Sequence, residues 1–441
     1  WDDLVNPRYD FENDLHPEGT GDGYDFATYS HQLYESPPYD GILISKIVVE
    51  MKKSKKAIFE RLGVHRYLRV PREFPIMGDC GAFGYITEEV PPYQTDEILD
   101  YYQRLDFDFG VSIDHLIVNG VLKREVCLLL DKKGEIKKIS EEQYTKLLES
   151  GEATEVKSIK RQLSLFESGP YLCRQEIIDE DERNRRYEIT INNARDFIEG
   201  HRKGGYRFTP IGAAQGWSPD SYADAVADYQ KMGYKYIALG GLVRTTSADI
   251  IRVLEAINKI LNKGTQLHLF GVARPDAIEE MHRLGVTSVD SASFLRRAWL
   301  GASANYHMLQ EKYAAIRIPQ AEKSPRAKKM VREGKISLEG VKKLEEKCLR
   351  LVRSYDRKGC ELDEVLEAVM VYDDLMGGNR NGHEQLIRKT LEDRPWEKCQ
   401  CEICKECGVE VIIFRGNNRN RRRGFHNTKI FYDQFCDLFG D

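Results

Sequence analysis

Three aspartates and one glutamine stand where short apolar runs end: Asp79 after FPIMG, Asp114 after FGVSI, Gln215 after IGAA and Asp290 after SV. An ionisable group at the end of a hydrophobic strand is costly to desolvate unless something satisfies or uses it. Three carboxylates brought to one pocket can do general acid/base or nucleophilic work, and can hydrogen-bond a polar heterocycle. Taken singly, an aspartate after a strand is also a common helix cap or turn former, and a glutamine there can be a satisfied buried amide. Gly240 and Gly241 end a further run of the same kind, YIALGG.

A second constellation lies near the C-terminus, in KCQCEICKECG followed by GFHNTKIF. Cys399, Cys401, Cys404 and His426 follow a C-x-C-x2-C plan with a distant histidine. Three thiolates and one imidazole make a closed tetrahedral set suited to structural zinc. Cys407 continues the spacing of Cys401 and Cys404, so an all-cysteine site or an iron–sulfur cluster stays open on spacing alone.

The elements that must carry these groups follow from the periodicity. Between about residues 40 and 300, apolar runs such as GILISKIVV, YKYIALGGL and LHLFGVA alternate with amphipathic stretches. SPDSYADAVADYQKMG begins on Ser218 as a cap with Pro219 at the first helical position, and closes on Gly233. Strands alternating with helices predict βαβ units and a parallel sheet. Seven or more units, with no GxGxxG after the first strand, favour a (β/α)8 TIM barrel, whose site lies at the C-terminal strand ends. Those ends are where Asp79, Asp114, Gln215 and Asp290 fall.

The alternation breaks between about 129 and 187, which reads as a charged insertion. After about 320 the composition shifts to charged helices and the short strand VEVIIF. The expected division is a catalytic barrel over 1–320 and a helical, zinc-binding α+β subdomain over 321–441. With 441 residues, 41% apolar, the chain can bury a large core. No apolar run approaches the ~20 residues that cross a bilayer. The start, WDDLVNPRYD, is too acidic for a targeting peptide, and without an initiator Met it is expected to lack a few preceding residues. Ten cysteines scattered and then crowded near one end fit a reduced, cytoplasmic protein with a metal site.

In order, GDCGAFGY, VSID, AAQG, LGGL and VDSAS resemble the motifs of the guanine transglycosylases, over roughly residues 40 to 430. The resemblance implies a pentosyltransferase that exchanges guanine in a nucleic acid for a 7-deazaguanine. It implies Asp290 as the nucleophile that bonds to the sugar and Asp79 as the acid/base. Asp114, Gln215, Gly240, Gly241 and Leu242 would bind the base, and Phe83 would stack on it. A double displacement of this kind needs one carboxylate for carbon and another for protons, as in retaining glycosidases. The family's zinc subdomain matches the cysteine and histidine pattern, and its members often dimerise.

Departures from the tRNA enzymes bear on the polymer. Cys80, Ala82 and Gly84 replace the usual Ser, Gly and Gln, and VRTTS after GGL lacks the acid that meets an aminomethyl group. These features look closer to the DpdA branch, which inserts 7-cyano-7-deazaguanine (preQ0) into DNA. A tRNA enzyme making a queuosine or archaeosine precursor is the alternative, and a non-catalytic nucleic-acid-binding paralogue the third reading. A net charge of −5 argues against a globally basic binder, but two local clusters are candidates for phosphate contact. One is Lys52 to Arg69. The other comprises Arg419, Arg421, Arg422 and Arg423, joined by Arg296 and Arg297 just after Asp290. A base in a duplex must leave the stack to react, so binding energy or an accessory protein such as an ATPase would have to open DNA.

Overall fold

The computed structural model describes residues 3–21, 23–51, 53–159, 169–301, 303–378 and 380–440. Lys52 of the lysine cluster and residues 160–168 of the charged insertion lie outside them. Seven parallel strands form one sheet: β1 (Ile42–Ser45), β2 (Ile76–Asp79) and β3 (Phe109–Val111), then, numbered after an intervening small sheet, β8 (Thr209–Ala214), β9 (Tyr236–Leu239), β10 (Gln266–Leu269) and β11 (Val286–Val289). Their spatial order is their chain order. The sheet curls into a TIM-like half-barrel, and Asp79 at the end of β2 and Asp290 beyond β11 come close enough for the Asp290 charge to act on Asp79.

Period-two alternation explains why these strands carry two buried faces. Ile211, Ala213, Tyr236 and Ala238 pack with Val111 in one cluster. On the other face, Ala214, Ile237 and Leu239 join the larger core with helical residues such as Tyr222, Val226 and Tyr229. The helix Pro219–Met232 begins as its sequence predicts, with Ser218 accepting from the Ser221 N–H and Pro219 in the first turn. It ends on Gly233 at φ +95°, where a side chain would be strained.

The charged excursion is a four-stranded sheet placed between β3 and β8. Its members are β4 (Lys123–Leu130), β5 (Ile136–Ile139), β6 (Thr154–Glu155) and β7 (Tyr171–Ile178), in the order β5-β4-β7-β6. These limits differ from 129–187 at both ends. The strand pair starts earlier because the exposed KRE of β4 is held by pairing to β7 rather than by a core. At the other side, residues from Glu180 belong to the long helix Glu180–Gly204, whose Asp179 cap accepts from the Glu182 N–H. That helix packs back on the barrel through Phe197 and Ile198.

A second core unites the C-terminal helices with Cys399, Cys401, Cys404 and Cys407. It also takes in Val5 and Tyr34 from the beginning of the chain and Tyr306, Ile316 and Ile318. The short pairing Ile316↔Ile413, Arg317↔Phe414 stitches the VEVIIF segment to the stretch leaving the barrel. Among the described residues, no helix is long and apolar enough to cross a membrane.

Candidate active site

Asp79 is the last residue of β2, and the turn after it is forced by Gly81 at φ +81°. A Cβ on Gly81 would lie 2.4 Å from Ile47 Cγ2, and one on Gly84 2.4 Å from Ile47 Cδ1. The small residues of GDCGAFGY therefore admit the Ile47 side chain under the turn. Cys80 points inward, near the Tyr102 hydroxyl at 3.8 Å, and burial raises its thiol pKa well above the usual range. It is a protonated, structural thiol. Phe83, by contrast, is 59% exposed at the rim.

Burial raises the Asp79 carboxyl to about 6, opposed by a hydrogen bond from Ser45 and reinforced by the Asp290 charge. Its Oδ1 is buried and has no hydrogen-bond partner among the described residues. Asp114 is raised further, to about 7, again by burial first, with Gln215 opposing and the Asp79 charge adding to the rise. Two acids poised near neutrality in one pocket are what proton transfer at ordinary pH requires.

Gln215 is fixed by its neighbours. Its Nε2 donates to Asp114 Oδ2 at 2.7 Å, and its Oε1 accepts from the Ile117 N–H at 3.4 Å. The pair needs Gly240, where a Cβ would fall 2.1 Å from Gln215 Nε2. The Gly240 carbonyl accepts from the Tyr222 hydroxyl at 2.7 Å, and Gly241 follows at φ +79°. Leu242 is buried beside them. Thr246, in VRTTS, caps the helix Ser247–Asn258 by accepting from the Asp249 N–H. Arg274 donates to the Val243 and Thr245 carbonyls at 3.2 and 3.1 Å.

Asp290 is held from one side. Its Oδ1 accepts from the Gly271 N–H at 2.9 Å and lies 3.2 Å from His268 Nε2. His268 Nδ1 is 2.6 Å from Ser288 Oγ, which in turn bonds the Tyr236 hydroxyl. His268, Ser288 and Tyr236 escape the reading of strand-end residues because they lie within strands. The signal for them was a lone imidazole inside LHLFG; the register pairs that position, His268, with Ser288 on β11.

Arg296 and Arg297 are exposed on the helix Ser293–Leu300, directly after Asp290. The other arginines do not match the expectation of a phosphate-binding cluster. Arg419, Arg422 and Arg423 are at most 1% exposed. Arg419 pairs with Asp14 and with Glu410, the latter at 2.7 Å. Arg422 donates to the Asn6 carbonyl at 2.9 Å, and Arg423 to the Val411 and Ala298 carbonyls at 3.0 and 2.7 Å. Arg421 donates to the Leu4 carbonyl at 2.7 Å. They occupy one helix, Gly416–Phe439, and its inner turns face the protein, so a run that reads as surface charge is internal scaffolding.

The metal-type residues converge. Cys399, Cys401 and Cys404 Sγ lie 3.6, 3.3 and 3.4 Å from His426 Nδ1, all four buried. The donor set fits a tetrahedral ion such as zinc. His426 Nε2 donates to the His307 carbonyl at 2.7 Å, which leaves Nδ1 free to ligate, and Tyr306 stacks on the ring at 4.1 Å. Cys407 is outside the group, and burial pushes its thiol up to about 12.

Residues 172–412 match a family model described as queuine tRNA-ribosyltransferase. Over 445 residues the chain is 34% identical to a DNA-guanine transglycosylase of Salmonella montevideo, covering 98% of this chain and 94% of that protein.

Proposed function

Because the chain belongs to the queuine tRNA-ribosyltransferase family and is a base-exchanging transglycosylase, we propose that it replaces guanine in DNA with 7-cyano-7-deazaguanine through a covalent Asp290–sugar intermediate. The observation that carries this reading is the pairing of two unlike carboxylates at strand ends, near enough for the Asp290 charge to act on Asp79. Among the described residues, Asp79 is buried with a bare Oδ1, while Asp290 is more open and braced on one oxygen only.

In the first half, Asp290 forms a bond to C1′ as the C1′–N9 bond breaks, and its electron pair leaves with guanine. A protonated Asp79 supplies the proton that the departing base needs. In the second half, Asp79 takes the N9 proton of the incoming base, that nitrogen bonds to C1′, and Asp290 leaves as a carboxylate. The incoming base presents the same pyrimidine face as guanine, so one set of contacts serves both. Asp114, with Gln215 holding its Oδ2, accepts from that face, and Phe83 covers the ring.

Three features support a neutral nitrile at the 7-position. No acid occurs in VRTTS after Leu242, Thr246 is committed to its helix, and Arg274 already donates to the Val243 and Thr245 carbonyls there. The name of the Salmonella relative supports DNA as the polymer. Arg296 and Arg297, exposed on the helix that follows Asp290, are the cations assigned to the backbone near the reacting sugar. Zinc in the Cys399, Cys401, Cys404, His426 set is structural, because all four positions are taken by protein and no site remains for water.

The test incubates the protein with labelled 7-cyano-7-deazaguanine and either plasmid DNA or tRNA. Label entering DNA is expected, with a denaturation-resistant protein–DNA adduct that Asp290→Ala abolishes. Label entering only tRNA overturns the polymer assignment, and an adduct that survives in the variant overturns the nucleophile.

A further inference from the structure

We propose that His268 is a positioning residue for the Asp290 nucleophile, the last link of a hydrogen-bond relay that begins at Tyr236 and leaves a single carboxylate oxygen free to attack carbon. The inference rests on the reading of Asp290 as the nucleophile.

The direction of the relay follows from its end. An ionised carboxylate only accepts, so the 3.2 Å contact to Asp290 Oδ1 requires the proton on His268 Nε2. Nδ1 must then accept, and its partner at 2.6 Å, Ser288 Oγ, must donate. With its proton spent, the Ser288 oxygen receives from the Tyr236 hydroxyl. Every group has one role, and Asp290 and Ser288 together hold the tautomer of the imidazole. The strand register makes this a built arrangement, since His268 and Ser288 are partners on β10 and β11 and Tyr236 is on β9. His268 is 3% exposed, whereas the Asp290 side chain is 31% exposed, so the relay approaches from the protein interior and the carboxylate faces outward.

Gly271 N–H reaches the same Oδ1 at 2.9 Å. Two donors on one oxygen make it the poorer nucleophile and direct the other, Oδ2, at C1′. Once the Oδ2–C1′ bond forms, Oδ1 is an ester carbonyl and still accepts both N–H groups. When the ester breaks, negative charge returns to an oxygen whose donors are already in place, with no solvent to reorganise. No proton moves along the relay in either half, so His268 only orients the carboxylate.

The experiment measures exchange of labelled guanine into denatured and duplex plasmid DNA, which is independent of any 7-substituent. His268→Ala is expected to lower kcat by about 10²-fold, the scale for a misaligned reacting group, with KM for guanine little changed. His268→Gln, which can return a donor to Oδ1, should recover at least a tenth of the wild-type rate by the same scale, and added imidazole should raise the rate of His268→Ala. Ser288→Ala keeps the imidazole but frees its tautomer and should lower kcat several-fold, which decides the matter if His268→Ala does not fold. Wild-type kcat in His268→Ala, or in Ser288→Ala where the former is unfolded, overturns the positioning role. If Asp290→Ala is inactive in the same assay, the nucleophile reading survives that result. Exchange that persists in Asp290→Ala overturns both.

Discussion

Replacing Asp114 by Asn should make the free protein more stable at pH 8 than at pH 5 relative to wild type, while destroying base binding. The Asp114 carboxyl titrates at about 7 in the folded chain against 3.8 when exposed. At ~1.36 kcal/mol per unit, that gap is worth ~4 kcal/mol between the two protonation states. The folded state binds the proton more tightly, so the stability tied to this group is complete below pH 3.8 and is lost as pH rises through about 7. Asparagine cannot ionise and is spared that loss. Its advantage over the wild type is ~4 kcal/mol at pH 8 and below ~2 kcal/mol at pH 5, because the wild-type carboxyl is then neutral in the fold. Comparing the two proteins at each pH cancels the titration of every other group that the substitution leaves alone. Differential scanning fluorimetry of the free protein reads the effect as an upward Tm shift of roughly 5 °C at pH 8 that at least halves at pH 5. The variant should also need far more guanine for half-maximal exchange, since an amide N–H would face the donors of the base. Equal shifts at both pH values, or a lower Tm at pH 8, would refute the claim that burial dominates at Asp114.

Elemental analysis should return about one zinc per chain, as a Cys3His set holds one ion, and Cys404→Ser should lose the metal while Cys407→Ala keeps it. Asp14→Ala strips a shared partner from Arg415 and Arg419 and should cost about 3 kcal/mol, read as a lower denaturant midpoint. Arg419→Ala should lower stability too, yet leave the salt dependence of DNA binding unchanged, whereas Arg296→Ala with Arg297→Ala should flatten the slope of log Kd against log salt by roughly two. Phe83→Ala should weaken base binding by ~1–3 kcal/mol, the worth of one aromatic stack, with kcat less affected.

What the sequence reveals depends on how far each signal reaches along the chain. Asp79, Asp114, Gln215 and Asp290 are legible because a polar residue ending an apolar run is a local pattern, and the barrel topology gathers such ends without further information. The metal set is legible for the same reason, its three cysteines falling within six positions. The helix Pro219–Met232 announces itself through its cap, its proline and its terminal glycine. The arginines misled because charge is a surface signal only on average. Nothing between Arg415 and Arg423 says that Asp14, Glu410 and the carbonyls of Leu4 and Asn6 will be waiting for them. The limits of the inserted sheet are equally hidden, since Lys123, Arg124 and Glu125 become a strand only by pairing with β7 some fifty residues later. His268 falls between these cases: its oddness is local, but its purpose depends on Ser288 and Asp290 in the next strand and loop.

The pairing of Asp14 with Arg415 and Arg419 joins residues about four hundred positions apart. Such a contact contributes nothing until the segment that carries Arg415 and Arg419 has been made, so Asp14 waits through about four hundred residues of synthesis for its cations. Until they meet, Arg415 and Arg419 each lack one of their two buried carboxylate partners, and docking the Gly416–Phe439 helix that supplies His426 would leave that charge unmet. His426 shares its helix with Arg419, so docking of that helix against Asp14 also carries the imidazole to the three cysteines. A chain without residues 3–14 would still contain every ligand and every acid of the pocket, yet would lack Asp14 and the Leu4, Asn6 and Phe11 carbonyls on which the Gly416–Phe439 helix docks.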